Sequence, residues 1–352
     1  MRVVLLGGAG YIGSVASHHL VSHGHHVTVV DGLIYNRGDD PGRLLPNTAA
    51  FVGGDLRDPA LLADVCDGAD AVVHLGGIVG EPACQLDEEL AVELNYAAPM
   101  IAAEAAAGAG VGQYVFFSSC SVYGRHEGTV DEDTEPNPLG IYARTKVLAE
   151  RRLPDVLAGV TEFTTLRLAT VHGSSPRQRL DSVVNSMASR AVATGRVPLN
   201  GGAQRRPLVH VGDVAEVLAG VMADNLTGVW NVGSDQENHT IADIAETVAA
   251  IVPGSRIRRG PERDETDARD YRVSFARLQR HMPGACATAL KDGVQEIADL
   301  LATRTIADPD EPQYDNHRGL VDAFTADRVR TLRSLACRRY QAEYTAATWG
   351  RP

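Results

Sequence analysis

A cluster of glycines near the amino terminus, GGAGYIG, constrains the fold of this chain more than any other feature of its sequence. It follows an apolar run at residues 3–6 and opens a stretch of helical periodicity at 11–23. Glycines in such a turn let backbone N–H groups approach a phosphate closely, and the helix amino terminus adds partial positive charge. We therefore predict a strand–turn–helix unit that binds a pyrophosphate. The residues expected to contact it are Gly7, Gly10, Tyr11, Ile12 and Gly13.

Short apolar runs alternate with helical stretches along the first half of the chain. The pattern predicts strands at residues 3–6, 25–30, 50–53, 69–75, 113–117 and 165–168, and helices at 11–23, 88–108 and 141–157. This alternation is typical of βαβ units with right-handed crossovers and a parallel sheet. We predict an α/β fold: a doubly wound parallel sheet of the Rossmann type, with a smaller, interleaved carboxyl-terminal substrate-binding lobe.

The alternation loosens after residue 172, although strand-like pieces recur at 208–211 and 229–232. We predict a dinucleotide-binding domain at 1–172 plus about 208–232. The substrate-binding lobe is expected at about 173–207 and 233–302. A charged extension with a helix near 321–344 occupies 303–352, and the sequence suggests no function for it.

The charge balance narrows the range of partners. The formal net charge is -12 without a long run of Lys or Arg, which argues against nucleic acid and anionic membranes. No apolar run approaches the roughly 20 residues that cross a bilayer, and the amino-terminal run is too short for a signal peptide. We expect a cytoplasmic protein. The five cysteines are scattered without a CxxC pair, so neither a disulfide framework nor a metal site is expected.

Two aspartates after predicted strands indicate which dinucleotide binds. Asp31 follows the second strand, where a carboxylate accepts hydrogen bonds from the adenosine ribose and repels a 2′-phosphate. NAD is therefore favoured over NADP, although the nearby Arg37 would weaken that preference. Asp55, followed by Leu56 in GDLRD, is placed to accept from the adenine amino group. The alternative for Asp55 is a loop or helix-capping residue.

A Ser–Tyr–Lys set forms the candidate catalytic group. Ser119 follows the fifth predicted strand, and ligands of open α/β sheets bind beyond the carboxyl ends of the strands. Tyr142 and Lys146 are four residues apart in a predicted helix and share one face. An adjacent ammonium and the positive nicotinamide ring favour the phenolate, so we expect a lowered pKa for Tyr142. Tyr142 would then act as a general base on a substrate hydroxyl held by Ser119.

These motifs together resemble the nucleotide-sugar epimerase/dehydratase family of extended short-chain dehydrogenases. The resemblance covers about residues 1–275 and is carried by GGAGYIG, GDLRD, HLGG, ELNYAAP, SSCSVYG, YARTK, LRLATVHG, RRPLVHVGDVA and NVGS. It implies a bound NAD that oxidises a hydroxyl of a nucleotide-diphosphate sugar to a ketone. It also implies cofactor contacts at Leu75, Gly76, Gly77 and Asn95. The family usually has two alanines at 76 and 77, so we expect a looser loop here.

The resemblance also implies a substrate site. Arg206 matches an arginine that grips the diphosphate, a task suited to its forked donors. The other candidate substrate contacts are Ser121, Thr170, Arg179, Asn185 and Arg269. For any one of these arginines a solvated surface position is the alternative.

One departure from the family pattern bears on the reaction. Cys120 and Ser121 stand where the 4,6-dehydratases carry Asp-Glu, and neither is a good acid or base for dehydration. We therefore predict an epimerase acting at C4, in a group similar to the UDP-glucose 4-epimerases. The alternatives are a C4-dehydrogenase that releases the ketone and a non-catalytic dinucleotide-binding protein, which the Tyr142–Lys146 pair disfavours. By resemblance we also expect a homodimer formed through the helices near 88–108 and 141–157.

Overall fold

Strands and helices alternate along the chain in the computed structural model, which describes residues 1–35, 40–260, 269–326, 329 and 335–347. Arg37 lies outside the described residues. The strands are β1 (Arg2–Leu6), β2 (His26–Asp31), β3 (Ala50–Gly53), β4 (Ala71–His74), β5 (Gln113–Ser119), β6 (Arg125–Val130), β7 (Glu162–Leu168), β8 (Thr170–His172), β9 (Arg196–Leu199), β10 (Arg205–His210), β11 (Gly228–Val232), β12 (Asn238–Thr240), β13 (Arg256–Arg259) and β14 (Asp270–Val273). The helices are α1 (Tyr11–Ser22), α2 (Pro59–Cys66), α3 (Glu81–Cys84), α4 (Glu88–Val92), α5 (Ala98–Gly108), α6 (Ile141–Leu157), α7 (Val183–Thr194), α8 (Val211–Ala223), α9 (Ile241–Ile251), α10 (Ala276–His281), α11 (Leu290–Ala302), α12 (Asn316–Thr325) and α13 (Leu335–Ala346).

Seven of these strands form one parallel sheet in the order β11-β7-β5-β4-β1-β2-β3. Alternate residues of β1 serve opposite faces: Val4 and Leu6 belong to one core cluster, Val3 and Leu5 to another. Helices α2, α5 and α6 cover the first face, and α1 and α8 cover the second. Strands buried on both faces explain the near-continuous apolar runs, and the doubly wound Rossmann fold is confirmed.

A third core cluster lies apart from the sheet. Helices α7, α9 and α11 build it together with β9, with members from Leu180 to Leu208 and from Ile244 to Ile306. Strand β10, whose residues 208–210 were expected in the dinucleotide-binding domain, pairs with β8 and β12 in a separate three-stranded sheet. The division into two domains stays a prediction, but a second lobe has its own apolar core.

The helix predicted at 88–108 contains an irregular turn. Residues Glu93–Ala97 form a π turn between α4 and α5, a geometry that occurs often at functional sites. The helix predicted at 141–157 is confirmed as α6.

The carboxyl-terminal extension packs onto these helices. The rings of Tyr96 and Tyr340 meet edge to face with centroids 5.6 Å apart. The Tyr340 hydroxyl donates to Glu104 (2.7 Å), and the Tyr96 hydroxyl donates to Glu343 (2.7 Å). Helix α13 is thereby joined to α5 and to the π turn.

A buried ion pair lies between α6 and β7. Glu150 accepts from Arg167 at 2.7 Å, and both side chains are only 5% exposed. Glu150 also accepts from Ser118, and Arg167 donates to the Tyr123 hydroxyl (2.9 Å). Through Ser118, the pair ties β5, which ends at Ser119, to the helix that carries Tyr142.

We predict that Arg167→Met lowers the free energy of unfolding by about 3–5 kcal/mol, because it leaves the Glu150 carboxylate buried without its counter-charge. Urea unfolding followed by circular dichroism measures the change. Arg151→Met is the matched control: Arg151 pairs with the exposed Glu135, so the expected loss is below about 1 kcal/mol. Equal losses in the two variants would refute the prediction.

Candidate active site

A cleft of about 1100 Å³ opens at the carboxyl ends of β1, β2, β4, β5 and β7 and continues along the second lobe. Most of the predicted site residues line it: Gly7, Gly10, Tyr11, Ile12, Gly13, Asp31, Asp55, Leu56, Leu75, Gly76, Gly77, Ser119, Tyr142, Lys146, Thr170, Arg179, Arg206 and Arg269. Asn95, Ser121 and Asn185 are not among the lining residues.

The glycine turn and the loop after β4 meet backbone to backbone. Gly7 has a positive φ of 80°, and a Cβ on it would overlap Gly76. A Cβ on Gly76 would in turn overlap the side chain of Leu56. An alanine at 76 would therefore require the Leu56 side chain to shift, and the expectation of a looser loop stays a prediction.

Asn95 supports the loop after β4 through hydrogen bonds to its backbone. Its Oδ1 accepts from the Ile78 N–H (2.7 Å) and its Nδ2 donates to the Ile78 carbonyl (2.9 Å). Asn95 is fully buried in the π turn, so in this structure it supports the cofactor loop from outside the cleft.

The residues around the glycine turn fit a dinucleotide. Helix α1 has no acidic residue in its first turn, which leaves the positive end of its dipole uncompensated. Asp31 stands at the end of β2 and accepts from the N–H groups of Ala9 (3.0 Å) and Leu33 (2.8 Å). Burial raises the pKa of Asp31, and these two hydrogen bonds act in the opposite direction.

Asp55 has a partner that the sequence analysis missed. Arg57 donates to Asp55 from Nε (2.9 Å) and from Nη2 (2.6 Å), and its other nitrogen pairs with Glu93. Arg57 and Glu93 are almost completely buried. The network links the loop after β3 to the π turn and orients the Asp55 carboxylate at the edge of the cleft.

The three catalytic candidates line the same cleft. Ser119 lies close enough to Tyr142 to act on the pKa of its hydroxyl. Lys146 donates from Nζ to the Phe117 carbonyl (2.8 Å) and lies 4.6 Å from the centroid of the Phe116 ring.

The electrostatics differ from the expectation. Burial raises the pKa of Tyr142 to about 12, whereas the charges of Arg179 and Arg269 and the hydrogen bond from Ser119 act to lower it. Burial also lowers the pKa of Lys146 to about 8. The cations that favour the phenolate are therefore two arginines of the second lobe, and the pKa of Tyr142 in the protein alone is raised, not lowered.

The amino terminus of α6 is capped by a distant carboxylate. Gly140, at the N-cap position, has no side chain to accept a hydrogen bond. Glu81 accepts instead, from the N–H groups of Ile141 (3.0 Å) and Tyr142 (3.2 Å), and a Cβ on Gly140 would overlap its carboxylate. Glu81 thus positions the helix turn that carries Tyr142. In the sequence, the only indication of this contact is the glycine at the helix start.

Arginines line the second-lobe side of the cleft. Arg179 is paired with Asp181, and Arg206 donates to the carbonyls of Arg205 and Arg269 at 2.7 Å each. Arg177, also lining the cleft, lies over the Tyr35 ring at 4.9 Å. These groups give an acidic chain a local concentration of positive charge.

Two predicted substrate residues do not line the cleft. Asn185 is fully buried, and its side chain bonds to the Gly173 backbone, to the Tyr11 hydroxyl and to the Arg179 carbonyl. Its amide stabilises the loop that carries Arg179. Ser121 is 4% exposed, and its hydroxyl has no hydrogen-bond partner within the described part of the chain.

The carboxyl-terminal extension contributes to the cleft, which the sequence analysis did not anticipate. Asp315, Asn316 and His317 line it at the start of α12. A chain segment remote from every motif reaches the site only through tertiary packing.

We predict that Glu81→Ala lowers the free energy of unfolding by about 1 kcal/mol, because two N–H groups of α6 lose their acceptor. Glu81→Gln keeps one acceptor oxygen and should lose less. Chemical denaturation measures both, with the exposed Glu89→Ala on α4 as control. A loss in Glu81→Ala no larger than in the control would contradict the capping role.

Comparisons with known proteins agree with this geometry. The model of the NAD dependent epimerase/dehydratase family matches residues 3–233. The UDP-glucose 4-epimerase of Lactobacillus helveticus is 29% identical over 281 residues, 71% of this chain and 82% of that protein. The dTDP-glucose 4,6-dehydratase of Streptomyces niveus is 27% identical over 320 residues, 85% of this chain and 92% of that protein.

Solved structures show the same likeness. MoeE5, in complex with UDP-glucuronic acid and NAD, superimposes with a TM-score of 0.74 at 28% identity, covering 86% of this chain and 99% of its own.

Within the described residues, no helix is long and apolar enough to cross a membrane. With its parallel sheet, glycine turn and Ser–Tyr–Lys set, this chain belongs to the NAD dependent epimerase/dehydratase family and is an NAD-dependent enzyme of the nucleotide-sugar class.

Proposed function

We propose that the enzyme epimerises a nucleotide-diphosphate sugar at C4 through a transient 4-keto sugar. The observation that carries the proposal is that Ser119 and Tyr142 line the wall of a cleft that also holds Arg179 and Arg269. The pair handles a hydroxyl proton, and the arginines suit an anionic diphosphate.

Each residue then has a defined task. Ser119 orients the C4 hydroxyl, and Tyr142 takes its proton as the C4–H bond breaks. Bound NAD supplies the hydride acceptor and later the donor. After the keto sugar turns over, Tyr142 returns the proton to the oxygen. Lys146, held at the Phe117 carbonyl, adds a positive charge to this end of the cleft while it is protonated.

The residues beside Ser119 argue against 4,6-dehydration. Cys120 is 1% exposed, its thiol donates to the Arg167 carbonyl (3.3 Å), and burial raises its pKa. Ser121 is buried as well. Removal of a C5 proton and a C6 hydroxyl needs an acid and a base in contact with the sugar, and neither side chain meets that need.

A C4-dehydrogenase that releases the keto sugar is the second candidate, because Ser119 and Tyr142 would perform the same first step. The two reactions differ only in whether hydride returns to C4. Analysis of the product therefore separates them.

We predict that incubation with a panel of nucleotide sugars in D2O, without added cofactor, gives an isomer of unchanged mass. Internal return of the hydride leaves no solvent deuterium on carbon, and mass spectrometry with chromatography of the released sugar detects it. Loss of two hydrogens would favour the dehydrogenase. Loss of water would overturn the argument from Cys120 and Ser121.

Tyr142→Phe is the matched variant for that experiment. It removes the proton acceptor while keeping the ring, so we expect turnover to fall by about 10²–10⁴-fold. Unchanged turnover would refute the catalytic assignment. The Tyr142→Phe variant should retain nearly the wild-type amount of NAD. Absorbance after denaturation measures that amount.

We also propose a homodimer, with α13 included in its interface. The family resemblance implied contact through helices near 88–108 and 141–157, and α13 already packs on that surface through Tyr340 and Glu343. A partner approaching these helices would therefore meet α13.

Light scattering is expected to give the mass of a dimer for the full chain. Tyr340→Ala, which removes a ring buried against Tyr96, should shift the equilibrium toward the monomer. Val321→Ala, at an exposed position of α12, should not. A monomeric wild-type chain at all concentrations would contradict the proposal.

A further inference from the structure

The roof of the cleft beside α3 comes from the carboxyl-terminal extension. Asp315, Asn316 and His317 line the cleft but lie far beyond residue 233, where the family match ends. Backbone contacts anchor the segment to the second lobe: the Leu180 N–H donates to the Tyr314 carbonyl (2.7 Å), and Arg177 donates to the Gln313 carbonyl (3.1 Å). The roof is thus anchored to the second lobe.

Asn316 has an unsatisfied acceptor at this roof. Its side chain is buried, with the residue 4% exposed. Its backbone N–H donates to Asp181 (3.2 Å), and its Nδ2 donates to the Val79 carbonyl (3.4 Å). Its Oδ1 has no hydrogen-bond partner among the described residues. A buried amide oxygen without a donor is unfavourable, so a donor from a ligand is the natural complement.

The neighbours of Asn316 locate it at the reacting end of the cleft. Val79, which accepts from Asn316, follows the Gly76–Gly77 loop. Glu81, two residues further on, accepts from the Tyr142 N–H (3.2 Å). Asn316 therefore lies near the start of α6, which carries Tyr142.

The unpaired oxygen of Asn316 needs a hydrogen-bond donor. Asp315 caps α12, accepting from the Arg318 N–H (2.9 Å), so a carboxylate already occupies the positive end of this helix. An ionised phosphate only accepts hydrogen bonds and could not satisfy the Asn316 Oδ1. Arg206 and Arg269 offer a better place for the diphosphate. Hydroxyl groups are the donors that a nucleotide sugar presents beyond its phosphates.

We propose that Asn316 forms a subsite for a hydroxyl of the sugar ring, so that the carboxyl-terminal extension contributes to sugar specificity. The inference rests on the proposed function, because it takes a nucleotide sugar as the ligand. It extends that function to a residue outside the family match.

The test compares nucleotide sugars with the nucleotides alone. Calorimetry gives the Kd of UDP-glucose, dTDP-glucose, UDP and dTDP for the wild type, Asn316→Ala and Val321→Ala. We expect Asn316→Ala to bind the preferred nucleotide sugar about tenfold more weakly and the matching nucleotide unchanged, as loss of one hydrogen bond predicts. Val321→Ala, exposed on the same helix, should match the wild type.

Other outcomes have distinct meanings. Equal weakening of nucleotide and nucleotide sugar, or no weakening of either, would overturn the subsite while leaving the proposed function intact. Loss of retained NAD in Asn316→Ala with unchanged sugar affinity would assign the donor to a ribose hydroxyl of the cofactor. That result would also overturn the sugar subsite. A wild-type chain that binds none of the nucleotide sugars would instead overturn the proposed function, and the subsite with it.

Discussion

The close approach of Gly7 to Gly76 sets the geometry on which the rest of the cleft depends. Because a side chain on Gly7 would overlap the backbone of Gly76, the loops after β1 and β4 touch through their backbones. Asn95 braces the loop after β4 from the π turn, and the Asp55–Arg57–Glu93 network braces the loop after β3. The floor under the cofactor is therefore rigid backbone, supported by buried hydrogen bonds that do not depend on the ligand.

Local placement of charge lets an acidic chain accept an anionic ligand. The net charge is -12, yet α1 has no acid in its first turn and arginines line the opposite wall. Protein acceptors orient these cations: Asp181 orients Arg179, and backbone carbonyls orient Arg206. Electrostatic preorganisation of this kind acts at short range, so the overall charge has little influence on the site.

The cofactor half of the site could be predicted from sequence because its residues act locally. The glycine turn, Asp31 and the Tyr142–Lys146 spacing each depend on one strand–turn–helix unit or one helix face. Roles that depend on tertiary contacts could not be predicted. Asn185 turns inward because its amide finds acceptors and donors in the 173–179 loop, and Glu81 reaches α6 across about sixty residues of chain. The raised pKa of Tyr142 in the protein without NAD could not be predicted for the same reason, since it results from burial in the folded chain.

The substrate half of the site is assembled from segments that meet only in the folded protein. The carboxyl-terminal extension is one of these segments. Leu320 and Ala323 of α12 and Tyr340 of α13 belong to the same apolar cluster as the sheet residues Val4 and Leu6. The main core therefore anchors the roof above the cleft and fixes its position relative to Tyr142. A subsite on such a rigid roof discriminates between sugars by position as well as by hydrogen bonding, because a hydroxyl of the wrong configuration cannot draw Asn316 toward it.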